Sequence, residues 1–338
     1  MTYSARRSLC RIAACTLRLS LFAAFAVAAQ PLHAQAWKPS QNVEIITGAG
    51  PGSSQDRAAR SIQNIFQTKQ LVPVTTSVLN KAGGGNAVAL SYMQQRPADG
   101  HYVLTTSTTL ITNHITGRSQ TTYMDVTPLA MLYDDYNVFT VRPDSLITSG
   151  RDLLERLRKD PASVSIGYAT SVGNSQHVAA AMAGKGAGVD MKKLKAVVFN
   201  ASSEAKVAAM GGHIDVIVTP AATVAPDIEA GKMRVIAVTS PQRMGGAYAK
   251  APTWKELGIA APFFGGWGAV LGHKDLKPVQ VAYWESTFEA LTATEEWKTY
   301  LRTHYLTDMY MSGAEARKFF ERQNGEFKAV LTELGLVK

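Results

Sequence analysis

Short apolar runs alternate along this chain with stretches whose apolar residues recur every three or four positions, and glycine or hydroxyl residues mark most of the junctions. The first such unit is Val43-Glu44-Ile45-Ile46, of strand character, then a turn through Gly48, Gly50, Pro51 and Gly52, then Ala58, Ala59, Ile62, Ile65 and Phe66 at helical spacing. Ser53, with Asp56 three positions on, has the form of a capping box at that helix start. A second unit runs from a strand over 72–79 through Gly83, Gly84 and Gly85 into Ala87, Ala89, Leu90 and Met93. A third has a turn at 97–100, a strand over 102–105 and the hydroxyl-rich loop Thr106-Ser107-Thr108-Thr109.

Residues 129–133 and 138–141 read as paired short strands interrupted by Asp134-Asp135-Tyr136-Asn137, and the chain is expected to cross there into a second domain. A charged helix follows over 151–159, with Leu153, Leu154 and Leu157 inward. Strands at 165–169, 194–199, 214–218 and 235–239 then alternate with helices. The loop at 170–175 repeats the opening design, and Thr219 with Pro220 reads as N-cap and first helical residue. Residues 263–271 combine aromatic and glycine residues, and the remainder reads as helices over 278–291, 295–302 and 314–334 that serve packing, the last opened by a capping box from Ser312 to Glu315. Strands alternating with helices make this an α/β chain with parallel sheets.

The N-terminus changes the picture of where the chain works. Arg6, Arg7, Arg11 and Arg18 precede an apolar run over 19–29, and Ala34-Gln35-Ala36 supplies small residues for cleavage, the form of a secretory signal peptide over 1–36. The run is shorter than the roughly 20 residues a membrane span needs. Ile12-Ala13-Ala14-Cys15 precedes the apolar run that a lipid-attachment box must follow, and Arg6-Arg7 leaves twin-arginine export as the alternative route. Both cysteines, Cys10 and Cys15, lie in the leader, so disulfides and cysteine metal sites are not expected. Without the leader's four arginines the formal charge falls from +9 to +5 (9 − 4), with no basic run, which argues against nucleic acid. The roughly 300 residues that follow are expected to form two domains.

Reactive chemistry is hard to find. No Gly-x-Ser-x-Gly elbow is present, and His101, His114, His177, His213, His273 and His304 are scattered without metal-ligand spacing. Gly48 and Gly50 fit the first two positions of a dinucleotide fingerprint, but Ser53 occupies the sixth, and no Gly-Lys-Ser/Thr follows. No cofactor and no metal are expected. The opening loop remains either a well-capped βα turn or an anion site at a helix start.

The order of these loops resembles the Bug (TctC-like) family, the extracytoplasmic solute receptors of tripartite tricarboxylate transporters. The family's Pro-Gly-Gly-x-x-Asp-x-x-Ala-Arg is similar to Pro51 through Arg60. Its Asn-Arg-Pro-Gly-Ala-Gly-Gly-Asn is similar to Asn80 through Asn86, one residue shorter, and its Pro-Asp-Gly-Tyr turn to Ala98 through Tyr102. Its Tyr-x-Ser-x-Gly-x-Gly-Ser-x-x-His resembles Tyr168 through His177, and Gly211 through Val216, Ala230 through Arg234 and Ala237 through Ser240 also match. The resemblance implies a periplasmic-binding-protein type II fold: two α/β lobes with two crossover strands, lobe 1 over 37–139 plus 263–338 and lobe 2 over 140–262. It also implies a periplasmic location, no enzymatic activity, and closure on a ligand carboxylate that is delivered to the membrane transporter subunits. A monomer is expected. Two other readings stay open: a periplasmic ligand sensor that reports to a membrane kinase, with the same fold and cleft, and a doubly wound α/β enzyme, weakened by the missing nucleophile and cofactor motifs.

The residues expected to bind the ligand are Gly52, Ser53, Ser54, Ser107, Thr108, Ser171, Gly173, Asn174, Thr219 and Trp267, with Asp56 bracing the first loop. Ser53 stands where the family has its second glycine, Asn174 where it has serine, Thr219 where it often has aspartate, and Phe199-Asn200 where it has Tyr-Lys. Those departures, with Tyr168, Phe199, Phe264 and Trp267 expected nearby, suggest an aromatic carboxylate in place of the family's di- and tricarboxylates.

Overall fold

The computed structural model describes residues 37–338 apart from 170, 187, 200 and 260–264. The expected leader over 1–36, Thr170, Asn200 and Phe264 therefore lie outside the described residues. Two mixed sheets organise the chain. The first contains β1 (Val43–Thr47), β2 (Thr76–Asn80), β3 (Tyr102–Thr106), β4 (Val126–Asp135), β10 (Gly266–His273) and β11 (Thr307–Ser312), in the order β11-β4-β10-β3-β1-β2. The second contains β5 (Asn137–Val141), β6 (Ser165–Ala169), β7 (Lys195–Phe199), β8 (Val216–Pro220) and β9 (Arg234–Val238), in the order β7-β6-β8-β5-β9.

Apart from β11, these are one pattern used twice. In each sheet three parallel strands are followed by one antiparallel strand and then a fourth; β10 plays the odd part in the first sheet and β5 in the second. Each odd strand comes directly after a crossing between sheets. The first crossing is at Tyr136, so Val138 and Phe139 already pair with β8 and β9. The two strands flanking 134–137 thus belong to different sheets and are not partners of each other, because the polar stretch carries the chain between lobes instead of turning it back.

The helices that carry the site are α1 (Ser54–Thr68), α2 (Ala87–Gln94) and α3 (Thr109–Ile115) in lobe 1, and α5 (Ser175–Gly186), α6 (Ser202–Met210) and α7 (Ala221–Glu229) in lobe 2. α4 (Gly150–Lys159) buries Leu153, Leu154 and Leu157. α8 (Pro278–Ala293), α9 (Glu295–Thr303) and α10 (Gly313–Glu333) complete lobe 1, the last opened by the Ser312–Glu315 capping box. The sequence showed no strand between α9 and α10. β11 is there, an edge strand in which no residue is fully buried, so it lacks the apolar run that would have revealed it.

One apolar cluster belongs to both lobes. Phe320, Phe327, Val330 and Leu331 of α10 pack with Val178, Ala181 and Met182 of α5. The glycine at 173 lets the two lobes approach here: its φ is +87°, and a Cβ would lie 3.2 Å from Thr116 Cγ2 and 3.4 Å from Leu331 Cδ2. Lys185 and Glu333 form an ion pair across the same seam at 2.5 Å.

Candidate functional site

Parallel strands deliver their following loops to one edge of a sheet, and helix starts gather there. Here the loops after β1, β2, β3, β6, β7 and β8 all line one cleft of about 1000 Å³ between the sheets.

The β1–α1 loop is the most tightly built wall. Gly52 has φ +77°, a backbone conformation glycine adopts without strain, and its N–H donates to Asp56 Oδ2 at 2.8 Å. The buried Asp56 also accepts from Asn80 Nδ2 at 2.8 Å and from Arg60 Nε at 3.0 Å. Burial pushes the Asp56 carboxyl up, but the bonds from Arg60, Asn80 and Gly52 outweigh it and hold the group below the usual carboxylate range. Ser53 Oγ accepts from Asp56 N–H at 3.2 Å, which is half of the expected capping box; the returning carboxylate bond goes to Gly52 N–H, one residue earlier. The N–H groups of Ser54 and Gln55, first in α1, have no partner among the described residues.

Behind this loop, Asn86 is buried with φ +80° and donates to Thr109 Oγ1 at 2.7 Å. Gly48 makes room for it, since a Cβ at 48 would overlap Asn86 Oδ1. Ser107 and Thr108 line the cleft beside Thr109; Thr108 is the N-cap of α3 by position, without a side-chain capping bond.

The matching loop of lobe 2 is braced by amides. Asn174 Oδ1 accepts from His177 N–H at 3.0 Å and its Nδ2 donates to Ala169 O at 2.5 Å, while Gln176 Oε1 accepts from Ala169 N–H at 2.9 Å. Gly173 N–H donates to His177 Nδ1 at 2.9 Å, so that ring nitrogen carries no proton, and burial pulls His177 down to about 4. His177 stacks on Tyr168 with ring centroids 4.7 Å apart.

Charge enters the cleft from residues outside the expected set. Asp135, at the end of β4, is 9% exposed; its Oδ2 accepts from Ser54 Oγ at 3.3 Å and its Oδ1 is buried with no partner. Burial pushes Asp135 up to about 7 and neighbouring Asp134, which accepts from Tyr136 OH at 3.0 Å, up to about 6. Arg57 and Lys206 also line the cleft. Lys206 is paired with Asp227 at 2.7 Å, whereas Arg57 donates to Gly52 O and keeps its Nε buried without a partner. Thr303, His304 and Tyr305 close one side, where Tyr305 OH donates to Glu229 of α7 at 2.9 Å. The helical C-terminal region therefore does more than pack.

A model of the tripartite tricarboxylate transporter family receptor (TctC) matches residues 58–336. The chain belongs to that family. A curated relative, the UPF0065 protein in the tcbD-tcbE intergenic region of Pseudomonas sp. (strain P51), is 26% identical over 208 residues, 61% of this chain; the chain spans 60% of that relative's length. A TctC solute-binding protein from Polaromonas superposes with a TM-score of 0.71 at 25% identity, covering 88% of this chain and 99% of that one. An R. palustris protein solved with adipate superposes with a TM-score of 0.78 at 20% identity, over 88% and 99%. TctC proteins are solute-binding receptors of two α/β lobes, not enzymes, and the architecture above is of that kind.

Among the residues singled out from this TctC chain's sequence, Gly52, Ser53, Ser54, Ser107, Thr108, Asn174 and Trp267 line the cleft. Ser171, Gly173 and Thr219 are not among its lining residues. Thr219 is the fourth residue of β8, fully buried against β5, with its hydroxyl unpartnered; Pro220, not Thr219, is the N-cap of α7, because pairing with Val138 continues the strand through that position. Of the aromatic residues, Trp267 stacks on Phe320 at 5.0 Å, and Tyr168 and Phe199 pack inside lobe 2, off the cleft. Asp135 and Arg57 escaped notice because Asp134-Asp135-Tyr136-Asn137 has turn-like composition and Arg57 occupies an unspecified position of the family motif.

Proposed function

We propose that this protein is a periplasmic receptor that captures a small organic carboxylate between its lobes and delivers it to the membrane subunits of a tripartite tricarboxylate-type transporter. The observation that carries this is the convergence of helix starts from both lobes on one cleft, with the N–H groups of Ser54 and Gln55 unpartnered among the described residues at its wall. Ser53, Ser54, Ser107 and Thr108 supply hydroxyls, Gly52 supplies close backbone approach, and Asn174 holds the opposite wall; Asp56 braces the first loop without touching the ligand. Both walls come from one chain, so a monomer completes the site. The arginine-rich apolar leader supports the periplasmic location, and the fold is one recorded elsewhere with adipate.

Tyr133, Trp267 and Tyr305 line the same cleft and favour an acid that carries a ring. A thermal-shift panel of succinate, adipate, citrate, benzoate, phthalate and terephthalate tests both levels. A bound acid present at 100 times its Kd adds about 2.7 kcal/mol to stability. No shift with any carboxylate defeats the receptor reading, and shifts confined to the aliphatic acids defeat the aromatic one. Loss of uptake of the bound acid on deletion of the gene tests delivery to a transporter.

A further inference from the structure

We propose that Asp135 makes the cleft selective for an amino-substituted carboxylic acid, its carboxylate accepting the ligand's ammonium group while the β1–α1 loop holds the ligand's acid. The inference rests on the carboxylate-receptor reading and names the substrate class within it.

A buried carboxyl with one bare oxygen is costly unless something supplies a donor. Asp135 has only the Ser54 hydroxyl, at 3.3 Å, on one oxygen and nothing on the other, yet it lines the cleft that the helix starts surround. Among the described residues, no ion pair joins it to any side chain. Arg57 is the counterpart of opposite sign: it lines the cleft, its charge acts on Asp135, it forms no ion pair among the described residues, and it keeps its Nε–H unpartnered. The other two charged side chains in the cleft already have side-chain partners, Lys206 in the carboxylate of Asp227 and Glu229 in the hydroxyl of Tyr305. An acid and a base that face one cavity without touching each other are complementary to a molecule carrying both charges. A hydroxyl could donate to Asp135 but would leave its charge uncompensated; an ammonium does both.

The groups that face Asp135 set the expected pH behaviour. They are Arg57 of α1, Asp134 on its own strand, Tyr133, Tyr300 of α9 and Tyr248 of lobe 2. Burial holds the free carboxyl near neutrality, so an arriving ammonium displaces its proton and binding strengthens as pH rises to about 8.

Calorimetric titration at pH 8 with matched pairs decides the matter: glutarate against glutamate, succinate against aspartate, benzoate against aminomethylbenzoate. In at least one pair the amine-bearing acid is expected to bind more tightly by about tenfold or more, and Asp135→Asn to erase that preference. The wild-type ranking is informative even if the variant fails to fold. Plain acids binding as well as their amino partners in every pair overturn the inference and leave the receptor reading standing. So does a plain acid that tightens as pH falls through neutrality, because a protonated Asp135 would then be donating to the ligand's acid. Persistence of the amine preference in Asp135→Asn overturns the role of this residue. No binding by either member of any pair overturns the receptor reading itself.

Discussion

The loop after β1 and the loop after β6 occupy the same place in two copies of one strand pattern, yet they are held by different chemistry. In lobe 1 a buried, ionised aspartate, Asp56, gathers a backbone N–H, an amide and a guanidinium. In lobe 2 Asn174, Gln176 and a neutral His177 do equivalent work with no net charge. The difference teaches that topology fixes where a wall stands but not how it is braced. A charged brace tolerates little change in protonation, whereas an amide brace is indifferent to it.

Removing the two braces should therefore have unequal effects. Asp56→Ala leaves the Gly52 N–H without its acceptor and the Asn80 amide with Ala49 O alone, and is expected to cost about 2–4 kcal/mol, read as a lowered denaturant midpoint, together with loss of ligand binding. Its counterpart Asn174→Ala removes one helix cap and is expected to cost about 1–2 kcal/mol. Equal losses would dissolve the contrast.

Acidity offers a second way to sharpen it. Asp56 sits below its unfolded value, so its contribution is present above pH ~3.8 and is lost as pH falls through the lowered folded value. Asp134 and Asp135 sit above theirs, so their contribution is present below pH ~3.8 and is lost as pH rises through about 6 and about 7. Ligand-free protein is expected to lose on the order of 2 kcal/mol between pH 5 and pH 8, and Asp135→Asn to flatten most of that slope, as followed by urea unfolding. A flat wild-type profile would show Asp135 to be ionised throughout.

Gly48→Ala, which forces Asn86 off its bond to Thr109, is expected to cost about 1–3 kcal/mol. The smallest effect is expected at the bridge between lobes. Tyr305→Phe deletes the bond to Glu229 and should cost about 1 kcal/mol or less, with a measurable rise in the ligand's dissociation rate in stopped-flow if the bond helps hold the cleft shut.

Much of this was legible in the residues themselves. Val43–Thr47, Ser165–Ala169 and the glycine turns between strands and helices announced the α/β pattern, because buried parallel strands need continuous apolar runs and tight exits. The order of the turns announced the family. The charged features of the cleft did not show. Asp135 looks like a turn residue, and only its burial between lobes gives it an unusual environment; Tyr305 follows a packing helix, and only the fold brings it against Glu229. Thr219 erred in the other direction, since hydroxyl followed by proline is a good local cap signal that sheet pairing overrode.

The double crossing also sets an order of assembly. The second sheet draws all five of its strands from the unbroken stretch 137–238, whereas the first must wait for β10 and β11, more than 120 residues beyond β4. Closing that long loop is slow, and the inner lobe can complete its pairing while the outer one still lacks its central strand. During synthesis the β1–α1 loop would thus exist for some time on a sheet with an open edge, and the cleft would be the last part of the molecule to come into being.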